Sequence, residues 1–347
     1  MSKPIISVIV PVYNASDYIN VLLDSIMKQT FKNFEVLLVN DGSTDNSLDI
    51  CEEYSLIDSR FKVINKSNGG VSSARNVGMN QALGEFITFA DSDDYVSEVW
   101  LERLYSPLST NSNIDFSMCD YFIIKGDKRF SVKTTYSSEI LERDFIISQL
   151  IGNMLNSNTP YVGISVVWNK LYRKSFIGDL RFDLLLDHAE DWWFNHFLLD
   201  KARRIAVVNE ELYYYCVLIN SESLTKKFNI RKLNSLIYTY PTLIDYVKKY
   251  NIPIIEANTK RLNTIIDELI QSKISLTNNE FNDLIISLGE DCKFQKILGS
   301  KNNLKGLRAK IVLRFKNQRD IKLLISLLSI KRQVKLRLIL LKNKIFY

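Results

Sequence analysis

Apolar and polar positions in the N-terminal part of the chain switch repeatedly between an extended and a helical period. The segment Ile5–Tyr13 is nearly all apolar and β-branched, the pattern of a strand buried on both faces. Asn14–Asp17 supplies a turn and a helix cap. Tyr18, Leu22, Ser25 and Ile26 then keep helical spacing, with Leu23 and Met27 beside them. Phe34–Val39 reads as a second strand, closed by the polar, turn-forming Asn40–Asp45. A helix follows through Leu48, Cys51 and Tyr54. Phe61–Ile64 is a third strand, Asn65–Gly70 a loop, Val71–Leu83 a helix and Glu85–Ala90 a fourth strand. Strands alternating with helices predict an α/β fold whose mostly parallel sheet has right-handed crossovers.

The fourth strand runs into Asp91, Asp93 and Asp94. Carboxylates this close repel one another unless a positive group lies between them. A hard divalent cation such as Mg²⁺ or Mn²⁺ answers that need, because it prefers oxygen ligands. A solvated turn in which Asp caps the next helix answers it too, with Asp94 serving a helix that starts near Val96. Asp41, Asn68 and Asp91 all fall at or just beyond strand ends, so they are expected along one edge of the sheet. That edge is where open α/β sheets bind ligands.

Four segments carry a family resemblance: Val8–Asn14, Val39–Asp45, Asn68–Gly78 and Phe89–Asp94. In this order and spacing the chain resembles glycosyltransferase family 2, which has the GT-A fold, a Rossmann-like sheet flanked by helices. The likeness returns at Val167–Tyr172, at Glu190–Trp192 and from Tyr213 to Thr225. The resemblance implies a nucleotide-sugar donor, usually a UDP-sugar, and transfer with inversion. It places Pro11 and Tyr13 at the base pocket and Asp41 on the uracil, where an imide N–H needs an acceptor. A turn residue beside Gly42 is the other reading of Asp41. Asn68 and Gly69 belong to a loop that lets a ligand approach the backbone. Arg75 is the partner for base or phosphate, or else part of a solvated helix face.

Asp91 and Asp93 resemble the family's Asp-x-Asp pair. Asp93 is then the metal ligand, with Asp91 near the ribose or sharing the metal through water and Ser92 on the substrate. The Mn²⁺ or Mg²⁺ offsets charge on the leaving diphosphate. Asp191, after Glu190, resembles the aspartate that serves as base for the acceptor hydroxyl; first-turn acids that offset the helix dipole are the plainer reading. Trp192 and Trp193 form either a sugar platform or part of the core. Lys170 is assigned to the diphosphate or an anionic acceptor, Arg173 to a solvated face, and one of Lys226 and Lys227 to phosphate.

Composition adds one fact. The chain has 347 residues and a net charge of +6, yet residues 300–347 hold 14 Lys+Arg against one acid, Asp320. Leu and Ile interleave these cations, and the longest uncharged run, Leu323–Ile330, is too short to span a bilayer. This pattern suits a helix on an anionic membrane surface; a terminal bundle with a basic face is the alternative. Nucleic acid is disfavoured because the remainder of the chain is acidic and carries no binding motif. Cys51, Cys119, Cys216 and Cys292 lack paired spacing, which argues against a disulfide framework or zinc site. The first strand is unlike a leader peptide, so a cytoplasmic location on the inner membrane face is expected.

The organisation follows: residues 1–105 bind the nucleotide, residues 106–225 complete the fold and bind acceptor, and residues 226–347 are helical with the basic tail. Asp115–Cys119 and Tyr121–Ile124 are two strand-like pieces; Leu233–Tyr250, Ile254–Ile274 and Asn279–Leu288 have helical spacing. The expected activity is an inverting, metal-dependent glycosyltransferase that acts on a lipid-linked or growing cell-surface glycan such as capsule or lipopolysaccharide. A polyprenyl-phosphate glycosyltransferase and a non-catalytic sugar-nucleotide-binding membrane subunit are the alternatives.

Overall fold

A computed structural model describes residues 3–134, 136, 139–151, 163–217, 229–251 and 254–291, the last without the side chains of 254–263 and 289. Two compact units are present. The first covers the described residues through 217 and the second those from 229 to 291.

The first unit is built on a ten-stranded sheet. Its N-terminal half alternates β1 (Ile6–Val12), α1 (Ile19–Met27), β2 (Phe34–Asp41), α2 (Ser47–Ile57), β3 (Phe61–Lys66), α3 (Val71–Gln81) and β4 (Phe86–Phe89). These strands pair in parallel in the order β3-β2-β1-β4. Their side chains are buried on both faces over most of β1, β2 and β4, which explains the continuous apolar runs. Pro11 is tolerated inside β1 because pairing with β4 ends at Ile9 and Phe89, before the missing N–H is needed.

The second half of the sheet departs from the parallel pattern. After β5 (Tyr95–Val96) and α4 (Trp100–Thr110) come β6 (Phe116–Lys125), β7 (Lys128–Val132) and β8 (Ile140–Glu142). Then follow β9 (Lys170–Arg173), α5 (Glu190–Lys201) and β10 (Arg204–Cys216). β9 lies antiparallel between β4 and β6, while β10 runs parallel to β6. The two strand-like pieces around Asp120 are thus one continuous strand, β6. Asp120 causes no break because its carboxylate accepts the Thr134 N–H at 2.7 Å.

The second unit contains α6 (Ile230–Tyr238), α7 (Tyr240–Lys249), α8 (Ile254–Ser275) and α9 (Asn278–Glu290). The expected single helix Leu233–Tyr250 is two, because Pro241 begins a new helix at its first turn. Leu233, Leu236, Ile265, Ile266, Leu269 and Phe281 form this unit's own core. The capping box of Thr277 and Glu280 starts α9. Among the described residues no helix is long and apolar enough to cross a membrane. The basic tail 300–347, Lys226, Lys227 and Cys292 lie outside the described residues.

Candidate active site

Because β1, β2, β3 and β4 are parallel, their carboxyl ends deliver Tyr13, Asp41, Asn68 and Asp91 to one edge of the sheet. Tyr13 is half exposed there, and Pro11 is partly buried below it. Asn14 ties the first loop to the second: its Oδ1 accepts the Thr44 N–H at 2.8 Å and its own N–H reaches Ser43 Oγ at 3.1 Å. Asp41 is buried and engaged. Lys66 Nζ pairs with it, and its two carboxylate oxygens accept the Gly69 and Gly70 N–H groups at 3.0 and 2.7 Å. Asp41 therefore shapes the Asn68–Gly70 loop. Gly70 needs to be glycine, since its φ is +84°.

The loop leads into α3, whose inward face presents Arg75. This guanidinium is 3% exposed and joins three segments. It meets Asp91 Oδ1 at 2.9 Å, Glu190 Oε1 at 3.0 Å and Asp191 Oδ1 at 2.7 Å. A residue 115 positions away is thus brought beside the acids that follow β4. Arg75 is no solvated helix side chain; its planar fork suits several carboxylates at once. Burial pushes the Asp191 carboxyl up to about 7 despite the opposing pull of Arg75, with the Glu190 and Asp91 charges adding to the rise.

Asp94 does not cap a helix. A short strand, β5, follows it, and α4 starts only at Trp100. Its buried carboxylate accepts the Tyr213 hydroxyl at 2.7 Å and the Cys216 N–H at 2.7 Å. The same Tyr213 oxygen accepts the Asp91 N–H at 3.0 Å. Tyr213 therefore fixes the acidic turn from β10, and Tyr215 stacks nearby on Trp168 with centroids 5.7 Å apart.

Lys170 and Arg173 are also corrected. Both lie on β9, on opposite faces of the strand, with Lys170 buried and Arg173 partly buried. The buried Lys170 ammonium donates to the Gly163 and Val166 carbonyls and to Asn169 Oδ1 at 2.5–2.8 Å. Arg173 donates to the Leu108, Asn111 and Ile114 carbonyls, so it closes the end of α4 rather than facing solvent. Trp192 and Trp193 are partly buried at the start of α5, with Trp192 stacked on His196 at 4.9 Å.

The model of the family described as "Glycosyl transferase family 2" matches residues 7–180. EpsH of Bacillus subtilis, a putative glycosyltransferase, is 34% identical over 289 residues, covering 80% of this chain and 78% of its own. The chain belongs to glycosyl transferase family 2. Its fold is GT-A, and as a family 2 member it is a glycosyltransferase. EpsJ of the same organism, an uncharacterized glycosyltransferase, is 36% identical over 61% of this chain and 61% of its own length. Among solved structures, Staphylococcus aureus TarS 1–349 in complex with UDP-GlcNAc superposes with a TM-score of 0.62 at 24% identity. The alignment covers 95% of this chain and 92% of that one.

In a GT-A glycosyltransferase the acidic turn after β4 is the expected cation site, and Asp93 fits one. Its partly buried carboxylate has no ion-pair partner among the described residues, and burial with the Asp91 charge pushes it up to about 6. Among those residues no group of three or more His, Cys, Asp or Glu converges to cage a metal. A single hard carboxylate completed by substrate phosphates and water is the usual Mg²⁺ arrangement, rather than a protein-only cage. Residue types alone did not reveal Tyr213, Lys66 or Asn195. Tyr213 stood inside a recognised motif without a role, and Lys66 and Asn195 resemble ordinary polar positions in the sequence.

Proposed function

We propose that this glycosyltransferase moves one sugar, with inversion, from a nucleotide-sugar donor, a UDP-sugar, to a hydroxyl of a lipid-linked or growing cell-surface glycan. One observation carries the reading: Arg75 links Asp91 on the donor side to Asp191, at 2.9 and 2.7 Å. A candidate base therefore stands beside the acids that follow β4. The relative TarS of Staphylococcus aureus, 32% identical over 227 residues, is named a poly(ribitol-phosphate) beta-N-acetylglucosaminyltransferase, a precedent for a polymer acceptor.

In this mechanism Pro11, Tyr13, Asn68 and Gly69 line the nucleoside end of the donor, and Asp41 orders the loop beneath it. Asp91 and Ser92 contact the donor, and Asp93 is the residue that would hold Mn²⁺ or Mg²⁺. That cation, when bound, offsets charge on the departing diphosphate. Asp191 accepts the acceptor hydroxyl proton while the oxygen bonds to the anomeric carbon and the sugar–phosphate bond breaks. Glu190 and Trp192 face the acceptor. Arg75 favours the ionised form of Asp191 that this step requires.

The domain roles follow the same reading, with 1–105 for donor, 106–225 for acceptor and 226–347 as a helical region. Its basic tail rests on the anionic inner face of the membrane. Donor binding and hydrolysis across UDP-, GDP- and dTDP-sugars, with Mn²⁺, Mg²⁺ or EDTA, test the proposal. Asp191→Asn is expected to lower turnover by about 10²- to 10⁴-fold with donor affinity retained. Unchanged turnover removes Asp191 as the base, and absence of binding to every donor sinks the donor assignment.

A further inference from the structure

The β6–β7 hairpin extends past the acidic edge of the sheet. β6 runs in the same direction as β4, because β9 lies antiparallel between them. Ile124 of β6 is level with Cys216 of β10, whose N–H donates to Asp94 at 2.7 Å. The tip follows at once, turned by Gly126 at φ +56° and Asp127. Every residue from Lys125 to Ser131 is exposed. The tip carries Lys125, Lys128 and Arg129 against one acid, Asp127, whereas the chain outside its C-terminal tail holds more acids than cations. Lys125 and Lys128 stand directly opposite each other across the two strands, a pairing that like charges disfavour. Phe130, 48% exposed, is paired with Ile123 and shares the face of Lys125, whose Nζ is 5.9 Å from its ring centroid. The other face ties the tip to the sheet. Arg129 Cζ lies 3.4 Å from the Phe122 centroid, Phe122 stacks on Tyr214 at 5.5 Å, and Tyr214 stacks on Tyr95 at 4.4 Å.

We propose that this hairpin tip, through Lys125, Lys128 and the exposed ring of Phe130 on one face, docks the first unit on an anionic lipid surface. Charge on an edge strand such as β7 commonly guards it against pairing with other chains. That role needs charge of neither sign in particular, and an exposed phenyl ring works against it. Cations beside an aromatic ring are what a lipid headgroup layer accommodates: the ammonium groups meet anionic headgroups and the ring sits at their level. An anionic surface also removes the mutual repulsion of Lys125 and Lys128. The strand beside the tip carries the Cys216 N–H that fixes Asp94, so docking brings the acidic edge of the sheet towards the lipid. That the edge then meets a lipid-linked acceptor rests on the acceptor reading proposed above; the lipid contact itself does not. The contact is also separate from that of the basic tail, since it uses other residues in a different part of the chain.

The test mixes the full-length chain with vesicles of phosphatidylcholine alone, or of equal parts phosphatidylcholine and phosphatidylglycerol, and reads binding by co-sedimentation. The parent should bind the mixed vesicles, and less as salt rises. Lys125→Ser combined with Lys128→Ser should weaken that binding about 25-fold, roughly fivefold for each cation. Phe130→Ser should weaken it about fivefold. A local readout separates the tip from the basic tail. Phe130→Trp adds an indole at the tip, and brominated phosphatidylcholine in the mixed vesicles should quench its fluorescence beyond any quenching in the parent. Failure of the parent to bind overturns the proposal, as does undiminished binding of both serine variants or an added indole that brominated lipid leaves unquenched. If the serine variants do not fold by far-UV circular dichroism, the quenching in Phe130→Trp decides alone. Donor hydrolysis keeps the two readings apart. Its absence from the parent refutes the donor assignment, while the vesicle measurements still judge the docking.

Discussion

Asp191 sits between two opposing influences. Burial favours its neutral form, whereas Arg75 and the Val167 N–H favour the carboxylate. In the proposed role of base Asp191 must be ionised, so turnover should fall as pH drops below about 7 and level off above it, read from a pH–rate profile at saturating donor. The stability sign is opposite. Between the ordinary value of 3.8 and about 7 the folded chain keeps a proton that the unfolded chain has released. Raising the pH through that window therefore costs stability at this site. Arg75 is the other decisive residue. Removing it leaves Asp91, Glu190 and Asp191 facing one another with no cation between them. Arg75→Ala should destabilise the chain by about 3–5 kcal/mol in urea denaturation, beyond its effect on activity. The sequence marked both residues through their motifs. That they touch was not legible, because 116 positions separate them along the chain.

Elements place the site by closeness of approach. α3 lies against β1 because Gly78 has no side chain; a Cβ there would meet Ile9 Cγ2 at 2.5 Å. Gly78→Ala gains helix propensity of about 1 kcal/mol yet forces the two elements apart, so it should cost a net 1–3 kcal/mol, roughly, in equilibrium unfolding. It should also weaken donor binding, because α3 carries both the Gly70 loop and Arg75. Strand and helix periods made β1 to β4 and their helices readable from sequence, since each buries a continuous or periodic apolar face. The second half was less readable. β9 is four residues long and enters the sheet through pairs with β4 and β6, so Lys170 reads in sequence as a ligand contact and Arg173 as a solvated side chain, whereas both donate to backbone carbonyls. β10 shifts register between Val208 and Tyr213, an irregularity that no side-chain pattern announces.

For the whole molecule, the proposed cation site at Asp93 has no caging cluster of His, Cys, Asp or Glu around it among the described residues. The cation should therefore bind weakly without nucleotide. EDTA is expected to abolish donor turnover and leave the thermal midpoint within about 2 °C, with activity restored by Mn²⁺ or Mg²⁺, as scanning calorimetry and a UDP-release assay would check. Loss of folding on chelation would point instead to a structural metal. The sequence by itself determined the α/β class, the parallel half of the sheet, and the edge on which Asp41, Asn68 and Asp91 gather. Those follow from short-range periodicity and from the rule that parallel strands share a direction. It also singled out Asp93 and Asp191, because their segments resemble the acidic motifs of the family. Tertiary structure alone decided which partners those residues have. Tyr213 holds Asp94 across 119 positions, Lys170 turns inward on a strand, and Arg75 joins the acids after β4 to Asp191. Such contacts are set by how distant elements pack, and local periodicity carries no record of which distant side chain fills the other half of an ion pair.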